Sequence, residues 1–169
     1  ALSTPVNAEK LRSNGNNEDT QLLGNYYRIM DDFYVPGDGW WIDKVEVYGL
    51  FLDPGSNADV QSVNIRLIAT DPMTGEPDPS QGEWLPITSF DEQNLEPWGI
   101  KLEANFHKTY LKGQRFYWIE FEVIGEGNYY LRGLESDTPV FLPAYGNHAT
   151  GNEYDLHATG GDLAFNLFG

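Results

Sequence analysis

Along most of this chain apolar and polar residues alternate with the two-residue period of a strand that buries one face and wets the other. Val45 and Val47 point one way while Lys44 and Glu46 point the other. The same rhythm places Val63, Ile65 and Leu67 on one face, and Ile100, Leu102, Ala104 and Phe106 on another. The segment 115–124 carries it most clearly, with Tyr117, Ile119, Phe121 and Val123 facing a core and Trp118, Glu120 and Glu122 facing out. Leu163, Phe165 and Leu167 repeat it at the end of the chain. No segment sustains the apolar spacing of an amphipathic helix, so helix content is expected to be low.

Turn-forming residues divide these runs. Pro36-Gly37-Asp38-Gly39 separates the apolar runs 26–35 and 40–52 and predicts a hairpin, since proline presets φ and glycine accepts positive φ. Asp53 to Asn57 reads as a turn, and Asp71 to Glu83 as a long loop of proline, glycine and acid. The segment 84–90 is a short strand that Pro86 confines to a sheet edge. Residues 108–114 are a turn or a short crossing, and Gly125 to Asn128 is a turn that folds 129–134 back on 115–124. The segment 135–162 reads mostly as loop, with a short apolar piece at 140–142. These elements predict an all-β protein: a jelly-roll-like antiparallel β-sandwich of about eight or more strands in two packed sheets.

Residues Asp31, Asp32, Phe33, Val35, Trp41, Ile42, Asp43, Val45, Tyr48 and Gly49, with the closing GGDLAFNLFG, carry a resemblance. The pattern resembles a jelly-roll-like β-sandwich domain of secreted bacterial proteins, a type often associated with PEP-CTERM sorting signals. The resemblance implies a sandwich fold and an extracellular, secreted or cell-surface location. It implies no chemistry, because that family has no catalytic motif to carry over, and residues 1–20 lie outside it.

Composition narrows the partners. The 169 residues suit one domain with a proper core, and an aromatic content of 14% excludes a disordered chain. Ten basic against 26 acidic residues give a formal net charge of −16, which disfavours nucleic acid and anionic membrane surfaces. Divalent cations and neutral polymers remain suitable partners. No run is long and apolar enough to span a membrane. Cysteine is absent, so there is no disulfide, thiolate nucleophile or zinc–sulfur site. Neither a start Met nor a leader precedes Ala1, and a mature, processed form is expected.

Three sets of residues are candidates for chemistry or recognition. Asp31, Asp43 and Asp162 are candidate calcium ligands, since calcium takes carboxylates and the first and last strands of a jelly roll commonly lie close together. Solvated turn acids that bond their own backbone are the simpler reading of the same residues. Trp40, Trp84 and Trp118 are candidate surface aromatics, able to stack on sugar rings or anchor a protein interface, against plain core packing. His148 and His157 share a loop with Glu153 and Asp155, but the spacing matches no metal motif. No nucleophile elbow, catalytic Ser/His/Asp order or phosphate loop occurs, so an enzyme is not expected.

Residues 1–20 form a polar N-terminal arm preceding a single domain over 21–169, with Val6 and Leu11 as its candidate anchoring side chains. Such a segment is expected to be disordered unless its own domain or a neighbouring copy holds it. An extended arm can add as a strand to an open sheet edge. The leading expectation is therefore a homopolymeric structural subunit of a filament, sheath or surface layer. The second is a non-catalytic carbohydrate-binding module whose partner is a polysaccharide.

Overall fold

The structure is a computed structural model, and it describes residues 10–13, 20–22, 28–51, 59–95, 99–126, 129–134, 145–147, 156–158 and 165–169. Every regular element among them is a strand: β1 (Lys10–Ser13), β2 (Thr20–Leu22), β3 (Arg28–Val35), β4 (Gly39–Phe51), β5 (Asp59–Thr70), β6 (Pro77–Trp84) and β7 (Ile87–Leu95). They are followed by β8 (Gly99–Lys112), β9 (Arg115–Glu126), β10 (Tyr129–Leu134), β11 (Tyr145–Asn147), β12 (Leu156–Ala158) and β13 (Phe165–Phe168). All pairings are antiparallel, and they form the two sheets of a jelly-roll-like sandwich. In the first sheet β7, β8 and β4 run side by side. The far edge of β4 pairs with β13 and then β10, which pair in turn with β1 and β2. The second sheet has the order β12-β11-β3-β9-β5-β6.

The sandwich is built around one long ribbon that bends from sheet to sheet. β3 pairs with β9 from Ile29↔Phe121 to Val35↔Arg115, and β4 pairs with β8 from Gly39↔Lys112 to Leu50↔Gly99. The ribbon crosses between sheets where Pro36–Gly39 lies against Gly113 and Gln114. There Gly37 has φ 61°, Gly39 has φ 121°, and the Gln114 N–H donates to Val35 O at 2.6 Å. A Cβ on Gly113 would overlap the carbonyl oxygen of Gly37, so the two corners approach at backbone contact. The predicted hairpin between β3 and β4 is thus corrected: the two strands belong to opposite sheets. Each run carries an apolar face, and facing each other across the gap buries both, as Phe33 stacking on Trp40 at 6.4 Å illustrates.

Ile29, Phe33, Val35, Ile119 and Phe121 of the second sheet meet Ile42, Val45, Val47, Leu102, Phe165 and Leu167 of the first in the main core. Three further expectations change. The 71–83 loop is a tight turn followed by β6, whose prolines sit on the sheet-edge strand. The single strand expected over 84–90 is two: β6 ends at Trp84 in the second sheet and β7 begins at Ile87 in the first, with Leu85 and Pro86 bridging them. β10 pairs with β4 and β2, not with β9. The apolar piece at 140–142 lies outside the described residues.

The N-terminal arm is also drawn into the body. β1 pairs with the terminal strand β13, as Lys10↔Phe168, Arg12↔Leu167 and Ser13↔Asn166, and β2 begins at Thr20 against β10. The edge of β13 left open by β4 offers backbone groups that residues 10–13 fill.

Candidate functional site

The site with the densest chemistry lies on the outer face of the second sheet, where the ladder registers stack unlike residues side by side. One row reads Arg28, Glu122, Asn64 across β3, β9 and β5. The next reads Met30, Glu120, Arg66, Trp84 across β3, β9, β5 and β6. Arg28 Nε lies 2.5 Å from Glu122 Oε2, and Asn64 Nδ2 donates to the other oxygen of that carboxylate at 2.8 Å. Arg66 Nη2 lies 3.0 and 3.2 Å from the two oxygens of Glu120, while Arg28 Nη1 is 3.8 Å from Oε1.

These four charged residues face away from the core, yet all are buried, Glu120 at 1% exposure. Charges so placed are retained because they are paired and hydrogen-bonded. Burial pushes the Glu120 carboxyl above its ordinary range, Glu122 adds to the rise, and the Arg66 and Arg28 guanidiniums oppose it. Beside them Met30, Ile68 and Trp118 form a small second apolar cluster. The Trp118 indole N–H donates to Gly75 O at 3.3 Å, so the turn before β6 folds over this face.

Trp84 covers the ion pairs. Its ring lies over both guanidiniums, 5.7 Å from Arg28 Cζ and 5.2 Å from Arg66 Cζ, and the residue stays 48% exposed. Next to it opens a recess of about 330 Å³ lined by Arg28, Asn64, Ile65, Trp84, Leu85 and Glu122.

The outer face of the first sheet is different in kind. Trp41 and Tyr110 sit opposite each other with ring centroids 5.2 Å apart, both exposed, and Tyr110 donates its hydroxyl to Asp38 O. Farther along, Lys44–Glu103 and Lys101–Glu46 are partly buried ion pairs at 3.9 and 3.8 Å. A second hollow, of about 420 Å³, takes lining from both sheets, including Gln81, Glu83, Lys112, Arg115 and Tyr117.

Of the three candidate aromatics, only Trp84 is exposed. Trp40 packs half-buried against the core, and Trp41 points outward instead. The cause is an irregularity in register between Ile42 and Lys44, which reverses the alternation that Val45 and Val47 would impose on the tryptophans. Trp118 faces out of the sandwich, as its alternation requires, but the covering turn leaves it with no exposure.

Among the candidate calcium ligands, Asp31 is buried on the inner side of β3 and Asp43 is half-buried in β4 of the other sheet. Asp162 lies outside the described residues, as do Val6, His148, Glu153 and Asp155. Leu11 falls in β1 and His157 in β12, where only the backbone is described. Among the described residues no three of His, Asp or Glu are grouped to hold a metal. None of them forms a helix long and apolar enough to cross a membrane.

Sequence reasoning did not single out Arg28, Asn64, Arg66, Glu120 and Glu122 as a group, because only the pairing of three distant strands makes them neighbours. No family model, curated protein or solved structure matches this chain.

Proposed function

We propose that this chain is an extracellular structural subunit that assembles into a filament, sheath or surface layer by strand addition. The observation that carries this reading is the pairing of β1 with β13 at one side of the first sheet. β13 spans only Phe165–Phe168, and the strand that completes its outer side comes from the opposite end of the chain. The backbone bonds of such a pairing are the same whether β1 comes from its own chain or from a neighbour. Exchange between copies keeps every bond while linking the copies, and if the rotation does not close, the product is a polymer. The resemblance of 31–49 and 161–169 to secreted sandwich domains supports the extracellular address.

The absence of cysteine gives a clean test. One preparation carries Lys10→Cys and another Phe168→Cys, positions that face each other in the β1–β13 ladder. Antiparallel partners have Cα separations that a disulfide spans. Mixed and mildly oxidised, the two are expected to give a covalent heterodimer, and deleting residues 1–20 is expected to abolish polymers in negative-stain micrographs. Cross-linking confined to a single chain carrying both cysteines, with no heterodimer in the mixture, would overturn the proposal.

A further inference from the structure

We propose that the recess beside Trp84 binds one ring of a neutral saccharide. This inference rests on the outer face of the second sheet alone and is independent of strand exchange. The recess is small, about 330 Å³, at the lower end of ligand cavities and suited to a single ring or a chain end rather than an extended polymer.

Its lining is amphipathic in the way a pyranose is. Trp84 supplies a half-exposed aromatic surface for the C–H face of a sugar. The remaining polar lining supplies partners for hydroxyls. Among the described residues the Trp84 indole N–H has no hydrogen-bond acceptor, which leaves it as a donor for a ligand. Asn64 gives one amide N–H to Glu122, and among the described residues its carbonyl oxygen has no donor, which leaves it as an acceptor for a ligand. The Glu122 carboxylate, engaged once at each oxygen, retains a lone pair on each. A donor, an acceptor and a carboxylate edge around one aromatic ring match adjacent hydroxyls, each of which both donates and accepts.

Charge selects against the other ligand classes. Arg28 and Glu122 cancel within the lining, so the recess offers no net field to an anion or a cation. The net charge of −16 opposes anions further, and two guanidiniums beneath Trp84 oppose a cation on its ring. The site is also held in place before any ligand arrives. Trp84 rests on Arg28 and Arg66, and these are fixed by Glu122 and Glu120, all four buried. Such preorganisation lowers the ordering cost of binding.

The test is an array of neutral and acidic oligosaccharides probed with the intact chain. Any neutral hit is then titrated by tryptophan fluorescence with the corresponding methyl glycoside and hexasaccharide. Trp84→Ala and Asn64→Leu are each expected to weaken that binding about tenfold or more, since each removes a partner the sugar cannot replace. Trp41→Ala, on the other sheet, is expected to leave it unchanged. Trp84 and Asn64 are not in the main core, and far-UV circular dichroism with a cooperative urea transition verifies that each variant folds, with a lowered midpoint expected from the lost contacts to Arg66 and Glu122. Should either substitution unfold the chain, Trp84→Phe, which removes the indole N–H, and Asn64→Ser, whose shorter side chain withdraws the carbonyl acceptor, replace it with the same expected direction. The proposal is overturned by an array without neutral hits, by binding to acidic glycans only, or by neutral binding that survives loss of Trp84 or falls with Trp41.

Discussion

Replacing Arg66 by methionine tests whether Glu120 is carried as a buried anion. The substitution keeps an unbranched side chain over the sheet but removes the guanidinium lying 3.0 and 3.2 Å from the two Glu120 oxygens. What remains near that carboxylate is Arg28 at 3.8 Å, already committed to Glu122 at 2.5 Å. Removing one partner of a buried pair costs about 3–5 kcal/mol, and the residual Arg28 contact argues for the lower end, about 3 kcal/mol. Roughly 1 kcal/mol of that is the lost stacking of Arg66 on Trp84, which does not depend on pH. In a chain of this size the whole effect corresponds to about 6–12 °C in Tm.

The sign with pH follows from Glu120, whose folded pKa is already raised above 4.5 by burial. For a carboxyl raised on folding, the stabilising contribution is full below its unfolded pKa and is lost as pH rises through the folded value. Removing Arg66, the largest opposing charge, raises that folded value further. The variant's deficit against the parent is therefore smallest at acid pH, as Glu120 becomes protonated in both proteins. It opens as pH rises, because the parent ionises Glu120 against Arg66 while the variant must keep it neutral or bury an unpaired charge. Urea titrations followed by tryptophan fluorescence at pH 5 and pH 7.5, with matched m-values, read the difference. The double variant Arg66→Met/Glu120→Leu removes both charges and is expected to recover to within about 1 kcal/mol of the parent at pH 7.5. A deficit equal at the two pH values, or a double variant as unstable as the single one, refutes the buried-anion account.

Two further outcomes follow from the geometry. Gly113→Ala drives a methyl group into the Gly37 carbonyl where the ribbon turns between sheets. It is expected to cost about 1–3 kcal/mol in the same urea assay, whereas Gly37→Ala, with open space around its Cβ, bears only the φ penalty at 61°. Tyr48 ionises late, because burial and the nearby Glu46 outweigh the hydrogen bond that Asn166 donates to it. In an absorbance titration at the phenolate band, the difference between the parent and Tyr48→Phe should develop at higher pH than for an ordinary tyrosine.

What the sequence made legible was local, and what it hid was pairing. Alternation located β4, β5, β8, β9 and β13 and the inward faces of Val45, Leu102, Ile119 and Phe165, because a strand's two faces are set by its own residues. It did not assign strands to sheets. Pro36-Gly37-Asp38-Gly39 permits a hairpin or a corner equally well, and the choice is made by β8 and β9 some seventy residues away. Nor does alternation survive an irregularity, and the one between Ile42 and Lys44 exchanged Trp40 for Trp41. Glu120 and Glu122 alternate with core residues as a wet face would. They are dry because Arg28 and Arg66 arrive from β3 and β5 on either side, a neutralisation that no window along one strand contains.

The two outer faces divide the possible labour of the molecule. On the first sheet the ion pairs are long and reached by solvent, each worth about 1 kcal/mol or less, so that face can be remodelled or covered with little consequence for the fold. The β1–β13 pairing belongs to this same sheet. On the second sheet the charges are buried and mutually dependent, so a partner that displaced Trp84 would expose guanidiniums whose positions the fold relies on. A ligand there must fit the recess as it stands, while assembly by strand exchange acts on an edge that tolerates change. Because strand exchange and the recess use different sheets, a polymer joined through β1 would keep the Trp84 recess of every subunit open. The same glycan titration performed on polymer and on the 1–20 deletion should then give equal affinity per subunit.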